Sequence, residues 1–359
     1  MIQVRRAHSL IAYWEGREFK LVNYLASKKI SANVLIAAIV DRAGSPTTLH
    51  DLQLEFVHVP GVESILQALV RHSILLQVGS RFERRDTKLH ETWRWGVDAQ
   101  YFHFGTKAVA YTFDFPAIRR ELEARALREP PPSPFKTKLA ATKVPLLKQK
   151  FEPKNYWEIL FERRTCRDFC ETPVSKQAFS NLLSSVSGMT QYYNESLLDK
   201  RIIKTSPSGG ARHPVEAYCA VQNVRGIPAG LYHYEVETNS LASIGEFPGK
   251  EVINRLFSGQ DWVMKAAATF FFTAVLPRSM WKYDHSRAFK VTLLDAGHIG
   301  QTFHLTATAL GLGVFTTAAI QDIAIEKYLR IDGISEVVVY GGAIGHRASD
   351  PQEFAASRT

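Results

Sequence analysis

The stretch AFKVTLLDAGHIGQTFHLTATALGLG, residues 288–313, predicts a long helix, and the elements around it decide the fold class. Small residues recur along it at Gly297, Gly300 and Ala307, and two further glycines, Gly311 and Gly313, close it. Small side chains on one helical face let another backbone approach closely. The stretch therefore predicts a helix that packs tightly against a neighbouring element.

Apolar strand patterns lie on both sides of this helix in the sequence. The segments that predict strands are VEAYCAVQNV (215–224), GLYHYEVETNSLASIGE (230–246), AATFFFTAVL (267–276) and SEVVVYGGAIG (335–345). The second of these reads as a hairpin that turns at about residues 237–239. Ahead of them, NYWEILFERRTCRDF (155–169) predicts a helix that ends in a basic loop. Residues 155–359 are therefore predicted to form an α+β domain.

A proline- and lysine-rich segment precedes that domain. REPPPSPFKTKLAATKVPLLKQKFEPK (128–154) holds six prolines and no sustained helical or strand period. Because proline removes backbone donors and favours extended chain, residues 129–154 are predicted to be a semi-rigid linker. A fragment that begins near Pro153 is accordingly expected to keep the chemistry of the second domain.

Residues 1–128 are predicted to form a smaller, winged-helix-like domain. Helices are indicated by SANVLIAAIVDRAG (31–44, with Ser31 as its N-cap), TTLHDLQLEF (47–56, with a Thr cap) and GVESILQALVRHS (61–73). A β-hairpin is expected to follow them, beginning with ILLQVGS (74–80), and the aromatic-rich ETWRWGVDAQYFHFGTKAVAY (91–111) predicts a further strand-bearing segment. DNA binding, peptide binding and a packing or dimerisation module all fit this pattern. The third helix carries a single arginine, Arg71, at its far end, which disfavours DNA.

The composition is that of a soluble globular protein. Of the 359 residues, 45% are hydrophobic and 22% are charged, and no apolar run is long enough to span a bilayer. The N-terminal residues MIQVRRAHSLIAYWEG predict no signal peptide, and three cysteines indicate a reducing compartment, so a cytoplasmic location is expected. The net charge of +9 is compatible with a phosphorylated cofactor or an acidic peptide, but it does not identify a partner.

Several common functional motifs are absent from the sequence. It contains no Walker A motif, no complete G-x-G-x-x-G after a strand, and no G-x-S-x-G nucleophile elbow. H-E-x-x-H and paired C-x-x-C motifs are also missing, so no metal site is expected.

Positive charge beside unusual backbone remains as the main functional signal. RRTCR (163–167) groups three arginines around a hydroxyl, although such a group is also typical of a solvated helix end. SPSGGARHP (206–214) combines two glycines with an arginine and a histidine, which suits a flat anionic ligand but also an ordinary glycine-rich turn. Lys282 and Tyr283 are adjacent, and a lysine beside a tyrosine is expected to lower the pKa of the phenol and make it a usable base. An isolated Lys-Tyr dipeptide also occurs by chance.

Taken together and in order, these segments resemble the SagB-type dehydrogenases. The resemblance rests on RRTCRDF, SPSGGARHPVEAY, GLYHYEVETNSL, KYDHSRAFKVTLLDAGHIGQTFHLTATALGLG and VVVYGGAIGHR, and it extends into the first domain through WRWGVDAQYFHFGTK. That family consists of FMN-dependent members of the nitroreductase superfamily, and it includes the oxidases that form thiazoles and oxazoles in modified peptides. The resemblance implies a nitroreductase-like fold, in which helices flank a mixed sheet, and a homodimer with FMN at its interface.

Carried over position by position, the resemblance implies the cofactor contacts. It assigns the FMN phosphate and ribityl chain to Arg163, Arg164, Thr165 and Arg167, with Arg347 as a further phosphate candidate. It places four residues of the glycine-rich segment against the cofactor, namely Ser208, Gly209, Gly210 and Arg212. Ala318 and Ala319 fall where the superfamily places backbone near the isoalloxazine ring.

The resemblance also implies the chemistry. Lys282 and Tyr283 match the family's catalytic pair, whereas His213 stands where relatives often carry tyrosine, so the substrate side is expected to differ. The implied reaction oxidises a thiazoline or oxazoline to the azole in a peptide or carrier-bound intermediate, with O2 as the electron acceptor and a cyclising enzyme as a possible partner. Neither nucleic acid nor membrane is an expected partner. The alternatives are an NAD(P)H-dependent nitro or quinone reductase and a flavin-sensing winged-helix DNA-binding regulator.

Overall fold

The computed structural model describes residues 2–109, 114–138, 141–194 and 200–348. The chain divides into two compact units, residues 1–112 and 113–359. The division therefore falls sixteen residues before the end of the predicted first domain at residue 128, because the helix at 115–128 packs within the second unit.

The first unit combines short strands with five helices in its described part. Its strands are β1 (Gln3–Arg6), β2 (Leu10–Glu15), β3 (Glu18–Asn23), β4 (Lys28–Ala32), β5 (Thr47–Thr48) and β6 (Leu75–Gln77). Its helices are α1 (Val34–Arg42), α2 (Leu49–Glu55), α3 (Val62–Arg71), α4 (Arg81–Thr92) and α5 (Val97–Gly105). One sheet has the strand order β5-β1-β6 and the other the order β2-β3-β4.

The three predicted helices of this unit are confirmed, but their surroundings differ from the prediction. The N-cap of α1 is Asn33 instead of Ser31, since the Asn33 side chain accepts the Ile36 N–H, whereas Thr48 caps α2 as predicted. The expected hairpin is wrong, because β6 pairs with the N-terminal strand β1 and is followed by α4. The predicted strand in residues 91–111 is also wrong where the structure describes it, because α5 occupies its middle; residues 110 and 111 lie outside the described residues.

The second unit is built on a large sheet. Its strands are β7 (Lys143–Pro145), β8 (Phe169–Cys170), β9 (Gln191–Tyr193), β10 (Arg201–Ile203), β11 (Val215–Val221), β12 (Gly230–Glu235), β13 (Ser240–Gly245), β14 (Ala268–Val275), β15 (Gly313–Thr317) and β16 (Glu336–Arg347). Its helices are α6 (Phe115–Arg128), α7 (Tyr156–Glu162), α8 (Lys176–Val186), α9 (Lys250–Leu256), α10 (Leu276–Met280), α11 (Arg287–Ala309) and α12 (Asp322–Leu329).

The main sheet has the order β15-β16-β14-β11-β12-β13-β7, with β8 paired to β16. Its ladders are antiparallel, and parallel pairing between described residues is confined to isolated bridges such as Thr165 with Val314. The α+β class and the predicted strands are confirmed, including the hairpin that joins β12 to β13 around residues 237–239.

Helices cover both faces of this sheet, which explains the uninterrupted apolar run of β14. Phe270 and Phe272 lie on one face and pack against Phe303 of α11. Phe271 points to the other face, where its ring stacks near Phe257, the residue that follows α9. Successive side chains of a strand alternate between faces, so a strand buried on both sides must be apolar throughout.

The close approach predicted for α11 is found at one of its small residues. A Cβ at Gly300 would lie 2.6 Å from the ring of Tyr340 on β16, so only glycine allows this contact. A Cβ at Gly297 would meet nothing within 4 Å, and that position faces outward.

Residues 129–138 and 141–145, which we call the strap, belong to the second unit instead of forming a free linker. The contacts that hold the strap include, in chain order, Trp281 Nε1 to the Glu129 carbonyl, Arg278 Nε to the Ser133 carbonyl, Lys136 to Glu336, the Lys138 N–H to Glu235, and strand β7 to β13. Proline-rich extended chain suits this role because it crosses a surface without internal hydrogen bonds. Its lysine and backbone N–H groups satisfy carboxylates that the sheet buries.

None of the helices in the described part of the chain has both the length and the apolar character needed to cross a bilayer.

Candidate active site

The segment SPSGGARHP forms a tight turn with unusual backbone, which we call the glycine loop (Ser206–Pro214). Three of its residues adopt left-handed conformations: Gly210 with φ 63°, Ala211 with φ 54° and His213 with φ 44°. Glycine adopts this region freely, but residues with a Cβ do so at a cost of about 1–3 kcal/mol each. The surrounding structure must therefore hold the loop in place.

The two glycines are required by neighbouring side chains. A Cβ on Gly209 would lie 2.3 Å from Cγ1 of Val291 on α11. A Cβ on Gly210 would lie 2.4 Å from the Tyr283 hydroxyl and 2.8 Å from the Lys282 ammonium nitrogen. The glycine loop thus packs between α11 and the Lys282–Tyr283 pair. The two residues predicted to be catalytic therefore lie beside this loop.

Asp295 of α11 anchors the glycine loop. Its carboxylate accepts the Ser208 hydroxyl at 2.6 Å and the Gly209 N–H at 3.1 Å. The same Ser208 oxygen accepts the His213 N–H at 2.9 Å, so one side chain ties the two ends of the turn together. Ser208 was predicted to lie against the cofactor, but in this structure its hydroxyl is bound to Asp295.

Ionisation of the Lys-Tyr pair differs from the prediction. Burial raises the pKa of Tyr283, and the nearby Arg212 offsets this only in part, so the phenol stays protonated near neutral pH. Burial, followed by the positive charges of Arg212 and Arg201, lowers the pKa of Lys282. Lys282 also lies over the face of the Tyr283 ring, 5.7 Å from its centre. Burial thus favours the neutral form of both groups, the free amine of Lys282 and the protonated phenol of Tyr283.

Buried charges lie directly behind the glycine loop. Arg278 is 2% exposed and donates to Glu216 at 2.6 Å and to the His213 carbonyl at 3.1 Å. Arg212, predicted to contact the cofactor, donates through Nε to the Arg278 carbonyl and places its guanidinium 5.3 Å from the Trp281 ring centre. Burial, followed by the positive charges of Lys204, Arg278 and Arg212, lowers the pKa of His213 to about 4, so His213 is neutral at physiological pH.

A second group of predicted residues meets at another part of the unit, which we call the arginine corner (Arg163, Arg164, Thr165 and Arg347). Thr165 bridges Val314 of β15, and Arg347 at the end of β16 reaches the Arg164 carbonyl at 3.5 Å. Arg164 donates only to backbone carbonyls in the described contacts, and none of the described salt bridges involves an arginine of the corner. Guanidinium groups without carboxylate partners are suited to bind a phosphate.

The other predicted cofactor residues make contacts of a different kind. Arg167 stands over the rings of Trp262 and Phe315, at 5.7 and 5.9 Å from their centres. Ala318 and Ala319 follow β15 directly and are exposed. The backbone of Ala319 is fixed on both sides, by Thr317 Oγ1 and by the Gln260 side chain.

Helix α11 connects the two groups. Asp295 contacts the glycine loop, whereas His304 bonds Thr316 of β15 and is close enough to Arg163 for that charge to lower its pKa. Nine residues separate Asp295 from His304, which corresponds to about 14 Å along a helix. Within one chain, the predicted site residues therefore form two clusters at different levels of α11.

Asp295 and His304 are functional candidates that motif reasoning missed. Both fall on the buried face of α11, in step with Thr292, Ile299 and Phe303. A carboxylate or imidazole at a buried helical position needs a polar partner. That signal could have marked both residues without any structure. His304 is neutral at physiological pH, because burial lowers its pKa to about 4.

The nitroreductase family model matches residues 160–346, slightly more than half of the chain. A nitroreductase-type protein of Methanocaldococcus jannaschii is 31% identical over 175 residues, and the match covers 48% of this chain and 83% of that protein. The chain belongs to the nitroreductase family. It is therefore a nitroreductase-family oxidoreductase, and members of this family generally depend on FMN.

Two further relatives place the nitroreductase domain in context. The trifolitoxin-processing protein TfxB of Rhizobium leguminosarum bv. trifolii is 31% identical over 161 residues, which covers 43% of each chain. A crystal structure of a nitroreductase-type protein from Anabaena variabilis superimposes with a TM-score of 0.55 at 22% identity, and covers 69% of this chain and 47% of that one. The chain thus spans less than half the length of these two proteins, and the second likeness concerns the nitroreductase fold alone.

Proposed function

We propose that this nitroreductase-family protein is an FMN-dependent dehydrogenase that oxidises an azoline ring, a thiazoline or oxazoline, to the azole in a peptide or carrier-bound intermediate. The observation that carries the proposal is the Lys282–Tyr283 pair, held against the glycine loop with a lysine whose pKa is lowered. A reductase that passes electrons from NAD(P)H to an acceptor has no need of a base for a carbon-bound proton. A dehydrogenase that aromatises a ring does need one.

A cavity beside the Lys-Tyr pair has a size that suits the proposed substrate. A cavity of about 280 Å³ opens beside Tyr283, between α10 and the start of α11. Its walls include Leu276, Met280 and Ala288, with Asp284 among its polar groups. Mostly apolar walls with a few polar groups are typical of small-molecule sites and suit a five-membered ring with its flanking residue.

The arginine corner fits the phosphate of FMN. Arg163, Arg164 and Arg347 bring three permanent positive charges together, and the contacts of Arg164 leave its guanidinium accessible to an anion. Ala318 and Ala319 supply rigid backbone after the end of β15. These residues would hold the phosphate end and one face of the cofactor.

FMN, when bound, supplies the acceptor for the hydride that leaves the β-carbon of the ring. Lys282, as the free amine, would take the proton from the α-carbon. Tyr283, which remains protonated, would donate a hydrogen bond that orients or polarises the ring. His213, near the end of the loop, is neutral and places no further charge on the reacting centre.

The relatives support a processing role to different degrees. TfxB is named for the processing of trifolitoxin, and this favours the modification of a larger product over the reduction of small nitro compounds. The M. jannaschii relative is nitroreductase-like by name, which keeps an NAD(P)H-dependent reductase as the second candidate. The first unit would then bind a leader peptide, a carrier or a cyclising partner enzyme.

The cofactor part of the proposal is tested by flavin release. The purified protein should be yellow and should release FMN, and not FAD, on denaturation. Arg164→Ala combined with Arg347→Ala should empty the site, since a hydrogen bond to a charged group contributes about 1.5–3 kcal/mol and the phosphate would lose several. Arg167→Ala is the matched control and should weaken FMN binding less, because that guanidinium stands over Trp262 and Phe315. A wild-type protein that cannot be reconstituted with FMN would refute the proposal.

A further inference from the structure

We infer that Asp295 is a positioning residue, which sets the basicity of Lys282 by fixing the glycine loop on which that lysine rests. The inference rests on the proposed function only in treating Lys282 as the base. It concerns a carboxylate on α11 that has no place in the predicted catalytic or cofactor-binding sets.

The first step is the anchoring of the loop by Asp295. The carboxylate is 4% exposed and uses both oxygens, one for the Ser208 hydroxyl at 2.6 Å and one for the Gly209 N–H at 3.1 Å. Hydrogen bonds to an ionised acceptor are short and about twice as strong as neutral ones. They offset the cost of burying the charge only in part, since burial still raises the pKa of Asp295. They also hold the left-handed backbone at Gly210, Ala211 and His213.

The second step is the contact between the loop and Lys282. The ammonium group donates to the Gly210 carbonyl at 3.4 Å, and the lysine side chain occupies the space in which a Cβ of Gly210 would stand. Gly210 follows directly on the residue that Asp295 holds. A displacement of the loop therefore removes the surface that keeps Lys282 out of water.

The third step is the charge environment of the pair. Arg212 from the glycine loop and Arg201 from β10 face Lys282 with positive charge, whereas Arg212 and Asp295 face Tyr283. Burial and the two arginines, and not Asp295, account for the lowered pKa of Lys282. The effect of Asp295 on the lysine is consequently one of position, transmitted through the loop.

The position of Asp295 thus predicts a shift in the titration of Lys282. If the loop relaxes, Lys282 becomes more hydrated and its pKa rises toward the ordinary value of lysine. At neutral pH less of the free amine is then present, and the enzyme would retain its cofactor but lose its base. A residue that served only to stabilise the fold would leave the titration of the surviving folded protein unchanged.

The experiment measures Lys282 directly, without substrate or turnover. The full-length, FMN-loaded protein is treated with an amine-acylating reagent over a series of pH values, and modification of Lys282 is quantified by peptide mass spectrometry. In Asp295→Ala the labelling midpoint should move upward by about one pH unit, as expected for a partly buried lysine returned to solvent. Asp295→Asn should give a smaller upward shift, since its amide oxygen can still accept the Gly209 N–H.

Two further variants keep the test decisive. Ser208→Ala removes the bridge from the loop side, leaves α11 intact, and should also raise the midpoint, so it carries the test if Asp295→Ala fails to fold. Asp284→Asn removes a carboxylate next to the pair without touching the loop, and it should not raise the midpoint. Unchanged midpoints in folded Asp295→Asn and Ser208→Ala would overturn the inference. Because no azoline is used, failure of azoline oxidation with the midpoints shifted would reject the proposed function alone.

Discussion

At the residue scale, burial reverses the ionisation expected for the tyrosine of the Lys-Tyr pair. The sequence places a lysine beside a tyrosine, and this proximity alone suggests a phenolate. The structure adds the desolvation of both groups, which disfavours charge on each, so that the pKa of Tyr283 rises and that of Lys282 falls. The neutral amine and the neutral phenol are the forms that the site favours.

This assignment predicts different effects for the two side chains. Lys282→Ala should lower the rate of flavin reduction by a substrate about 10²–10⁴-fold, the usual contribution of a general base. Tyr283→Phe should lower it about 10- to 100-fold, since one hydrogen bond to a charged group contributes about 1.5–3 kcal/mol. Because the free amine is the active form, the wild-type rate should rise with pH through a value below the ordinary pKa of lysine.

Stopped-flow measurement of flavin reduction over a series of pH values checks both effects. The acid limb should disappear in Lys282→Ala and persist in Tyr283→Phe, and both variants should remain yellow. An acid limb that vanishes in Tyr283→Phe instead would return the base role to the phenol. Wild-type rates in both variants would make the pair structural, with His213 as the next candidate.

At the element scale, local sequence patterns predicted the helices and strands. They did not predict which distant segments of the chain contact one another. The period and glycines of residues 288–313 predicted α11, and the apolar run of residues 267–276 predicted β14. The strap was missed because Pro and Lys carry no period, and its order comes from partners far away, such as Glu235 and Glu336. The role of Asp295 was missed for the same reason, because its hydrogen-bond partners lie 86 and 87 residues earlier in the chain. Helix capping depends on neighbours in the sequence, and the threonine cap of α2 is confirmed, whereas α1 is capped by Asn33 instead of Ser31.

The strap predicts a stability effect that a free linker would not show. Glu336 is 6% exposed, and Lys136 of the strap is its cationic partner, beside the Tyr218 and Thr273 hydroxyls. Lys136→Met should reduce the free energy of unfolding by about 3 kcal/mol, because it leaves a buried carboxylate without its counter-charge. Lys148→Met, at an exposed lysine beyond the strap, is the control and should change it by less than about 0.5 kcal/mol.

Urea unfolding at neutral pH, followed by tryptophan fluorescence, measures this difference. Equal urea midpoints for Lys136→Met and Lys148→Met would mean that Lys136 does not stabilise the fold. The strap would then be a free linker, as the sequence predicted. In the strapped structure, a fragment beginning at Pro153 loses Lys136 as well as β7, so the expectation that such a fragment keeps its chemistry is revised. We expect the fragment to be unstable.

At the scale of the whole molecule, the two clusters of site residues point to pairing of chains. The glycine loop and the arginine corner lie about 14 Å apart along α11. Close to Asp295, α11 exposes Leu293, Leu294 and Gly297, and the neighbouring α7 exposes Trp157 and Phe161, at 63% and 72%. Exposed apolar residues gathered on one surface are typical of an interaction site. We propose that a second copy covers this surface and brings the glycine loop of one chain to the arginine corner of the other.

Gly297 provides a clean test of this pairing. A side chain there meets nothing within 4 Å in the single chain, so substitution should not disturb the fold. Gly297→Glu should place a charge in the proposed interface and shift sedimentation from dimer to monomer, with loss of flavin. Gly297→Ala is the matched control and should remain dimeric. If both variants sediment as the wild type does, α11 is not the interface.

The central claim, oxidation of an azoline and not reduction by a nicotinamide, is tested most directly by anaerobic mixing. The FMN-loaded protein is mixed in one experiment with a peptide that carries a thiazoline or oxazoline, and in another with NADPH. The flavin absorbance is followed in a single turnover. We expect the azoline to bleach the flavin, with the azole recovered in equal amount, and NADPH to leave the protein yellow. Bleaching by NADPH together with an unchanged spectrum in the azoline experiment would contradict the account and identify the protein as a reductase.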